Sequence, residues 1–171
     1  RGLGDVYKRQ GSVIWILGST MMILCPHFLI DIMKNLVIIG AGGMGRTIFD
    51  VARESIGYGI EYTIKGFIDD NLSALDGFED YPPMLGTISH YLHEVDDVFT
   101  FSIGGESRRV CIEYLMERNA KFINIVHSTA RIGSNVRMGE GNVIGAFTSL
   151  GADCSIGSYN MIQSYTVIGH D

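Results

Sequence analysis

From Ala130 onward, aliphatic residues recur at a fixed step of six: Ile132, Met138, Ile144, Leu150, Ile156, Ile162 and Ile168. Glycine follows each of them except Ile162, which Gln163 follows. Two positions before each stands a mostly small or polar residue: Ala130, Val136, Asn142, Thr148, Cys154, Asn160 and Thr166. A step of six fits neither an amphipathic helix, with its period of 3.6, nor a long half-buried strand, with its period of two. It fits a solenoid in which a short flat strand points one aliphatic side chain inward and then turns. Three such sides close a coil of 18 residues, which predicts stacks of Ile132, Leu150 and Ile168, of Met138 and Ile156, and of Ile144 and Ile162. Each coil is buried only by its neighbours, so the repeats stabilise one another.

The preceding stretch has a different pattern. Leu36-Val37-Ile38-Ile39 is a continuous apolar run of the buried-strand type, followed at once by Gly40-Ala41-Gly42-Gly43-Met44-Gly45. A helical pattern then runs from Arg46 to Ser55, with Ile48, Val51 and Ala52 on one face. Strand, Gly-x-Gly-x-x-Gly and helix in this order bring a tight backbone turn to the N-terminus of a helix, where free N–H groups face an anion. A second strand, Tyr62 to Ile68, ends on Asp69-Asp70, carboxylates placed to accept hydrogen bonds from a ribose or a base. Leu72 to Leu85, with Asp76-Gly77 and Pro82-Pro83, reads as an irregular connection, and Thr87 to Val95 as a short helix. Val98 to Ile103 is a further buried strand closing on Gly104-Gly105. Ser107 to Asn119 follows as a helix with Val110, Leu115 and Met116 inward. Arg108 and Arg109 occupy its first turn, where the helix dipole prefers acids, and so point to an anionic neighbour. Phe122 to Val126 is a fourth strand, and His127 opens the passage into the repeats.

Strands alternating with helices imply right-handed crossovers and a parallel sheet, with ligands at the C-terminal strand ends where the Gly loop, Asp69, Asp70 and Gly104 gather. The expected fold is therefore a small Rossmann-like α/β domain, residues 33–126, followed by β-solenoid repeats over 127–171. A length of 171 residues suits this pair of small domains. The net charge of −6 argues against a binder of nucleic-acid backbone, and no Lys/Arg cluster overrides it. Three cysteines, Cys25, Cys111 and Cys154, share no metal-ligand or redox spacing, so no metal site is expected and a reducing cytoplasm is the simplest setting.

Residues 1–32 stand apart. Ser12 to Ile30 carries no charge and follows Lys8 and Arg9, which is nearly a membrane span with positive flanking charge. Asp5 to Gln10 (DVYKRQ), however, looks like the in-frame translation of a transposase mosaic-end adaptor, and Met33 reads as a natural start. We read 1–32 as a non-native leader, with a membrane anchor as the alternative.

GAGGMGR at Gly40 to Arg46, GFIDDN at Gly66 to Asn71, SIGGESRR at Ser102 to Arg109 and the hexapeptide run ending in VIGHD occur in this order. The chain thereby resembles the sialic acid O-acetyltransferase and UDP-4-amino-sugar N-acetyltransferase family from Lys34 to Asp171. That resemblance implies a left-handed β-helix that trimerises, with acetyl-CoA lying between adjacent β-helices and a sugar or nucleotide-sugar acceptor held by the α/β domain. By motif, His170 matches the family's catalytic base and Asp171 the acid beside it. Gly40, Gly42, Gly43, Asp69 and Asp70 match its nucleotide-sugar contacts, and Gly104 with Arg109 its Gly-x4-Arg signal. A neutral imidazole with a pKa near ~6.5 suits proton removal from an attacking amine or hydroxyl. The thioester-binding N–H would lie one coil, roughly 18 residues, beyond His170, so the chain is expected to be a C-terminally truncated, inactive portion of such an enzyme. Two other functions compete: a dinucleotide-binding oxidoreductase fragment, resting on Gly40, Gly42, Gly45 and Asp69, and a non-catalytic trimeric sugar-nucleotide binding module.

Overall fold

The structure, a computed structural model, describes residues 33–170. The leader expected over residues 1–32, and Asp171, lie outside the described residues. From Met33 onward the chain forms one compact unit.

Five strands, β1 (Lys34–Ile39), β2 (Tyr62–Ile68), β3 (Met84–Gly86), β4 (Asp97–Phe101) and β5 (Lys121–Phe122), pair in the order β3-β2-β1-β4-β5, all parallel. Helix α1 (Gly43–Arg53) covers one face and α2 (Gly105–Met116) the other. Leu36 and Ile38 of β1 point to α1, where Ile48, Phe49 and Ala52 meet them. Val37 and Ile39 point to α2, where Cys111, Ile112 and Leu115 meet them. The continuous apolar run is thus a strand buried on both faces, as a parallel sheet requires. The order reverses between β1 and β4, so the loops that leave these two strands diverge and open a crevice at their C-terminal ends.

Three expected elements differ in the fold. No helix forms over 87–95: Tyr91 N–H and His90 N–H both reach Thr87 O, closing a single turn, and the rest is drawn away by Asp97. That carboxylate accepts from Tyr91 Oη (2.7 Å) and Glu94 N–H (2.8 Å), while the Thr87 and Ser89 hydroxyls engage His90 Nδ1. Local side-chain bonds of this kind compete with helical ones. In α2 the buried face is Cys111, Ile112 and Leu115; Val110 and Met116 flank it and are 57% and 46% exposed. The expected strand from Phe122 to Val126 is two strands. β5 ends at Phe122 in the large sheet, whereas β6 (Ile125–Val126) starts the solenoid.

β6 is followed by β7 (Arg131–Ile132), β8 (Arg137–Met138), β9 (Val143–Ile144), β10 (Ser149–Leu150), β11 (Ser155–Ile156), β12 (Met161–Ile162) and β13 (Val167–Ile168). They stack as three parallel faces: β7-β10-β13, β8-β11 and β6-β9-β12. Leu150 pairs with both Ile132 and Ile168, Ile156 with Met138 and Ile162 with Ile144, the 18-residue stacking read from the sequence. Inside, Val126, Ile144, Leu150 and Cys154 are buried against their neighbours in successive coils. One corner carries an amide ladder: Asn142 donates from its backbone and side chain to Asn124 Oδ1 (2.8 and 3.2 Å), and Asn160 repeats this on Asn142 (3.0 Å each).

The β6-β9-β12 face turns Ile125, Val143 and Met161 toward the α1 side of the sheet and packs there. Two backbone bonds fix that joint to the end of α1: Ile56 N–H to Val126 O (3.1 Å) and Ser128 N–H to Glu54 O (3.0 Å). Because this face is occupied, the corner between the other two faces lies on the far side of the coil.

Candidate functional site

The Gly loop separates into a packed part and an open part. Gly40, at φ +95, turns directly under Ser102, whose Oγ would stand 2.4 Å from any Cβ there. A Cβ on Gly45 would come 2.1 Å from Gly40 O. These two positions need glycine for the close approach of strand, loop and helix. Ser102 Oγ lies 2.8 Å from Ile39 O and 2.9 Å from Gly40 O, tying the end of β4 to the loop. Gly42 has nothing within 4 Å of its Cβ position, and Gly43 has only Arg46 Nη2 at 3.9 Å, so these two exposed residues form the open edge. Gly42 caps α1 without a side-chain bond, and the first turn holds no acid.

Asp69 is largely engaged by the protein itself. Its Oδ2 accepts Ala41 N–H (2.8 Å) and its Oδ1 accepts Asn71 N–H (2.8 Å), so one carboxylate joins the Gly loop to the connection that follows β2. Each oxygen keeps one further lone pair for a ligand. Asp70 Oδ1 accepts Ile88 N–H (3.2 Å). Both aspartates line a cavity of about 530 Å³ on the α2 side of the sheet, with Ser89, Glu106, Cys111 and Tyr114. Three carboxylates and no Lys or Arg line it, so it favours a donor-bearing or cationic group over a phosphate. Burial, with a smaller push from Asp70, raises the Cys111 thiol to about 11, which keeps it protonated and poorly nucleophilic.

Gly104 is exposed at the N-cap of α2, across the crevice from Gly42. Arg109 is not brought to the Gly loop. It pairs along α2 with Glu106 (3.3 Å) and Glu113 (3.8 Å) and lines a separate cavity of about 380 Å³ with Arg108 and Tyr159, toward the coil. Arg108 lies over the Phe101 ring at 5.2 Å. His170 follows β13 at the corner away from the α/β layer. Gly151 sits beneath it in the preceding coil, where a Cβ would stand 2.7 Å from both Gly169 C and His170 N.

Two residues at the Gly loop were not picked out from the sequence. The Arg46 guanidinium lies 3.7 Å above the Phe78 ring, and its Nη1 donates to Ala41 O (3.3 Å). Arg46 was visible within GAGGMGR; nothing in the Asp76-Gly77-Phe78 turn foretells that this ring folds back by 32 positions. His127, read from the sequence as opening the passage into the repeats, is buried, with Nε2 2.9 Å from Glu54 Oε2, a partner 73 positions away that the sequence did not indicate.

A Rossmann-like sheet with a Gly loop at its switch point is continued here by a parallel hexapeptide coil. Residues 35–114 match the PglD N-terminal domain and residues 135–170 the bacterial transferase hexapeptide of six repeats. The chain thus joins a PglD N-terminal domain to bacterial transferase hexapeptide repeats. It is 31% identical over 116 residues to the UDP-N-acetylbacillosamine N-acetyltransferase of Bacillus subtilis (strain 168), covering 66% of this chain and 51% of that protein. The chain thus spans about half the length of this curated relative. In fold it is similar to the acetyltransferase domain of PglB from Neisseria gonorrhoeae FA1090 in complex with acetyl coenzyme A, with a TM-score of 0.68 and 23% identity over 81% of this chain and 66% of that one. PerB from Caulobacter crescentus, in complex with CoA and GDP-perosamine, is also similar in fold, with a TM-score of 0.65 and 24% identity over 81% of this chain and 64% of that one.

Proposed function

We propose that the chain serves an acetyl-CoA-dependent transfer of an acetyl group to the amino group of a nucleotide-activated sugar, in the building of a surface glycan in the cytoplasm. One observation carries this reading: an open Gly loop beside Asp69 and an acid-lined cavity, on the same chain as the coil that bears His170. The α/β unit holds the nucleotide sugar, with its phosphates at the Gly42–Gly43 edge and its donor-bearing portion toward Asp69 and Asp70. The B. subtilis relative, named for a UDP-sugar, supports the nucleotide class and N-acetylation over a sialic acid hydroxyl.

In the reaction the sugar amine attacks the thioester carbonyl carbon while His170 takes a proton from the amine nitrogen. The tetrahedral intermediate collapses as the C–S bond breaks, and the coenzyme A sulfur leaves with the proton returned by the imidazolium. No covalent enzyme intermediate is needed. Asp171 is the proposed partner that orients the imidazole. His170 sits at the corner remote from its own Gly loop, so in a homotrimer it serves the acceptor held by a neighbouring copy. The exposed Phe147 and Tyr165 rings, stacked at 5.1 Å, and the exposed Val167 support such an association.

Thermal unfolding of the chain with UDP, a UDP-amino-sugar, sialic acid, NAD and acetyl-CoA in parallel tests the reading. A ligand at ~100 times its dissociation constant adds about 2.7 kcal/mol to the folded state. UDP compounds are expected to raise the transition. A shift with NAD alone would promote an oxidoreductase, and a shift with sialic acid alone would move the acceptor to a hydroxyl sugar. In a preparation that transfers acetyl groups, His170→Ala is expected to abolish turnover while leaving the UDP shift intact; unchanged turnover would rule out His170 as the base, and UDP binding without any transfer would leave only a binding module.

A further inference from the structure

Arg46 is the arginine at the Gly loop, and like Arg108 over Phe101 it lies over an aromatic ring. Arg53 and Arg109 pair with acids on their own helices, and Arg118 stacks on Tyr114 one helical turn away. Arg46, in the first turn of α1, forms no ion pair among the described residues. It is held instead by a ring from another loop, with its guanidinium carbon 3.7 Å above the Phe78 centroid.

That loop is built to keep the ring there. It starts at Asp69, whose two oxygens bind Ala41 N–H of the Gly loop and Asn71 N–H of the connection, so both walls share one root. Ala74, Leu75 and Tyr81 fasten it to the core, where Tyr81 meets Phe49 at 5.3 Å and Phe67 at 6.4 Å. Phe78 N–H then reaches Leu75 O (3.0 Å) just after Gly77, at φ +80. Phe78 itself remains 48% exposed, and burial of its own surface does not explain the position.

Stacking occupies the face of a guanidinium and leaves the N–H groups at its edge. One of these is used on Ala41 O, with Nη2 turned toward Gly43. The neighbouring cavity carries three carboxylates and no cation, so a diphosphate is repelled there and attracted to Arg46.

Resting on the nucleotide-sugar reading above, we propose that Arg46 contacts the diphosphate of the ligand and that Phe78 is a positioning residue that fixes the Arg46 guanidinium over the open edge of the Gly loop. Calorimetric titration of the full chain with UDP and with uridine tests this in wild type, Arg46→Gln, Phe78→Ala and Phe78→Tyr. Arg46→Gln is expected to weaken UDP about tenfold, the scale of one charge-assisted contact, with uridine unchanged. Phe78→Ala, which removes only the ring beneath the guanidinium, is expected to weaken UDP about threefold, again with uridine unchanged, and Phe78→Tyr to restore it. Wild-type UDP affinity in both Arg46→Gln and Phe78→Ala overturns the inference and leaves the nucleotide-sugar reading standing, as does an equal loss for UDP and uridine. Failure of wild type to bind UDP or a UDP-amino-sugar overturns both.

Discussion

His127 Nε2 lies 2.9 Å from Glu54 Oε2, and on the other side of the ring Nδ1 accepts Thr129 N–H (3.1 Å) and is 2.9 Å from the Thr129 hydroxyl. Thr129 Oγ1 in turn accepts Phe147 N–H (2.9 Å) from the next coil. Since Nδ1 accepts a backbone N–H, the neutral ring carries its proton on Nε2 and donates it to the carboxylate. The end of α1 is thereby tied to two successive corners of the solenoid. His127→Ala removes a buried ring together with its bonds to the exposed Thr129, and is expected to cost about 1–2 kcal/mol in urea unfolding. Glu54→Gln is expected to cost less than ~1 kcal/mol, because Glu54 is 59% exposed and an amide oxygen still accepts. Equal losses would mean that the Glu54 contact, not the Nδ1 arm, carries the joint.

Asp69 should behave as a structural tie as well as a ligand contact. Asp69→Asn turns an NH2 group toward either Ala41 N–H or Asn71 N–H, so one of the two bonds is lost. A destabilisation of about 1–2 kcal/mol is expected, together with a smaller UDP-induced thermal shift. A variant as stable as wild type would show that the tie is dispensable.

Stability should fall at both pH extremes through identifiable groups. Burial pushes the Asp97 carboxyl up, but bonds from Lys65 Nζ (2.9 and 3.2 Å), Glu94 N–H and the Tyr91 hydroxyl outweigh it and hold the carboxyl below its ordinary 3.8. A lowered folded value means that this stabilisation is present above 3.8 and is lost as pH falls through the folded value. Burial raises Tyr62 from 10.0 to about 12, the opposite case: its contribution is present below 10.0 and is lost as pH rises through about 12. Urea titrations across pH should show both limbs. Asp97→Asn, which leaves Lys65 without its buried partner, should cost about 3 kcal/mol and flatten the acid limb.

Two glycines of the repeat should respond oppositely to alanine. At Gly151 a Cβ meets the backbone of Gly169 and His170 at 2.7 Å, whereas at Gly157 the nearest atom is Asn160 Nδ2 at 3.7 Å. Gly151→Ala should cost about 1–3 kcal/mol by overpacking, and Gly157→Ala should stay within ~0.5 kcal/mol. Similar values at the two sites would mean that the coil relaxes freely under His170.

The sequence by itself determined the elements whose signal is periodic and local. The step of six fixes the stacking of Leu150 between Ile132 and Ile168, because each coil can bury its aliphatic side chain only against the same position one turn away. The apolar run of β1 followed by glycines fixes a buried parallel strand and its turn, since a closed Cβ position at Gly40 or Gly45 leaves no other residue there. Where side-chain bonds or packing compete with the regular pattern, the sequence was silent. Asp97 draws Tyr91 and Glu94 out of the expected helix, and α2 turns Cys111 and Ile112 inward instead of Val110 and Met116, because packing against the sheet chooses among phases that the pattern leaves nearly equal. The same holds at the site. Glycines and acids announce the loop by their order, but only the folded chain brings Phe78 under Arg46, commits Asp69 to two backbone donors, sends Arg109 to another cavity and sets His170 at the corner away from its own Gly loop. These are contacts across separate loops and faces, set by how the sheet, helices and coil pack together, and no local spacing encodes them.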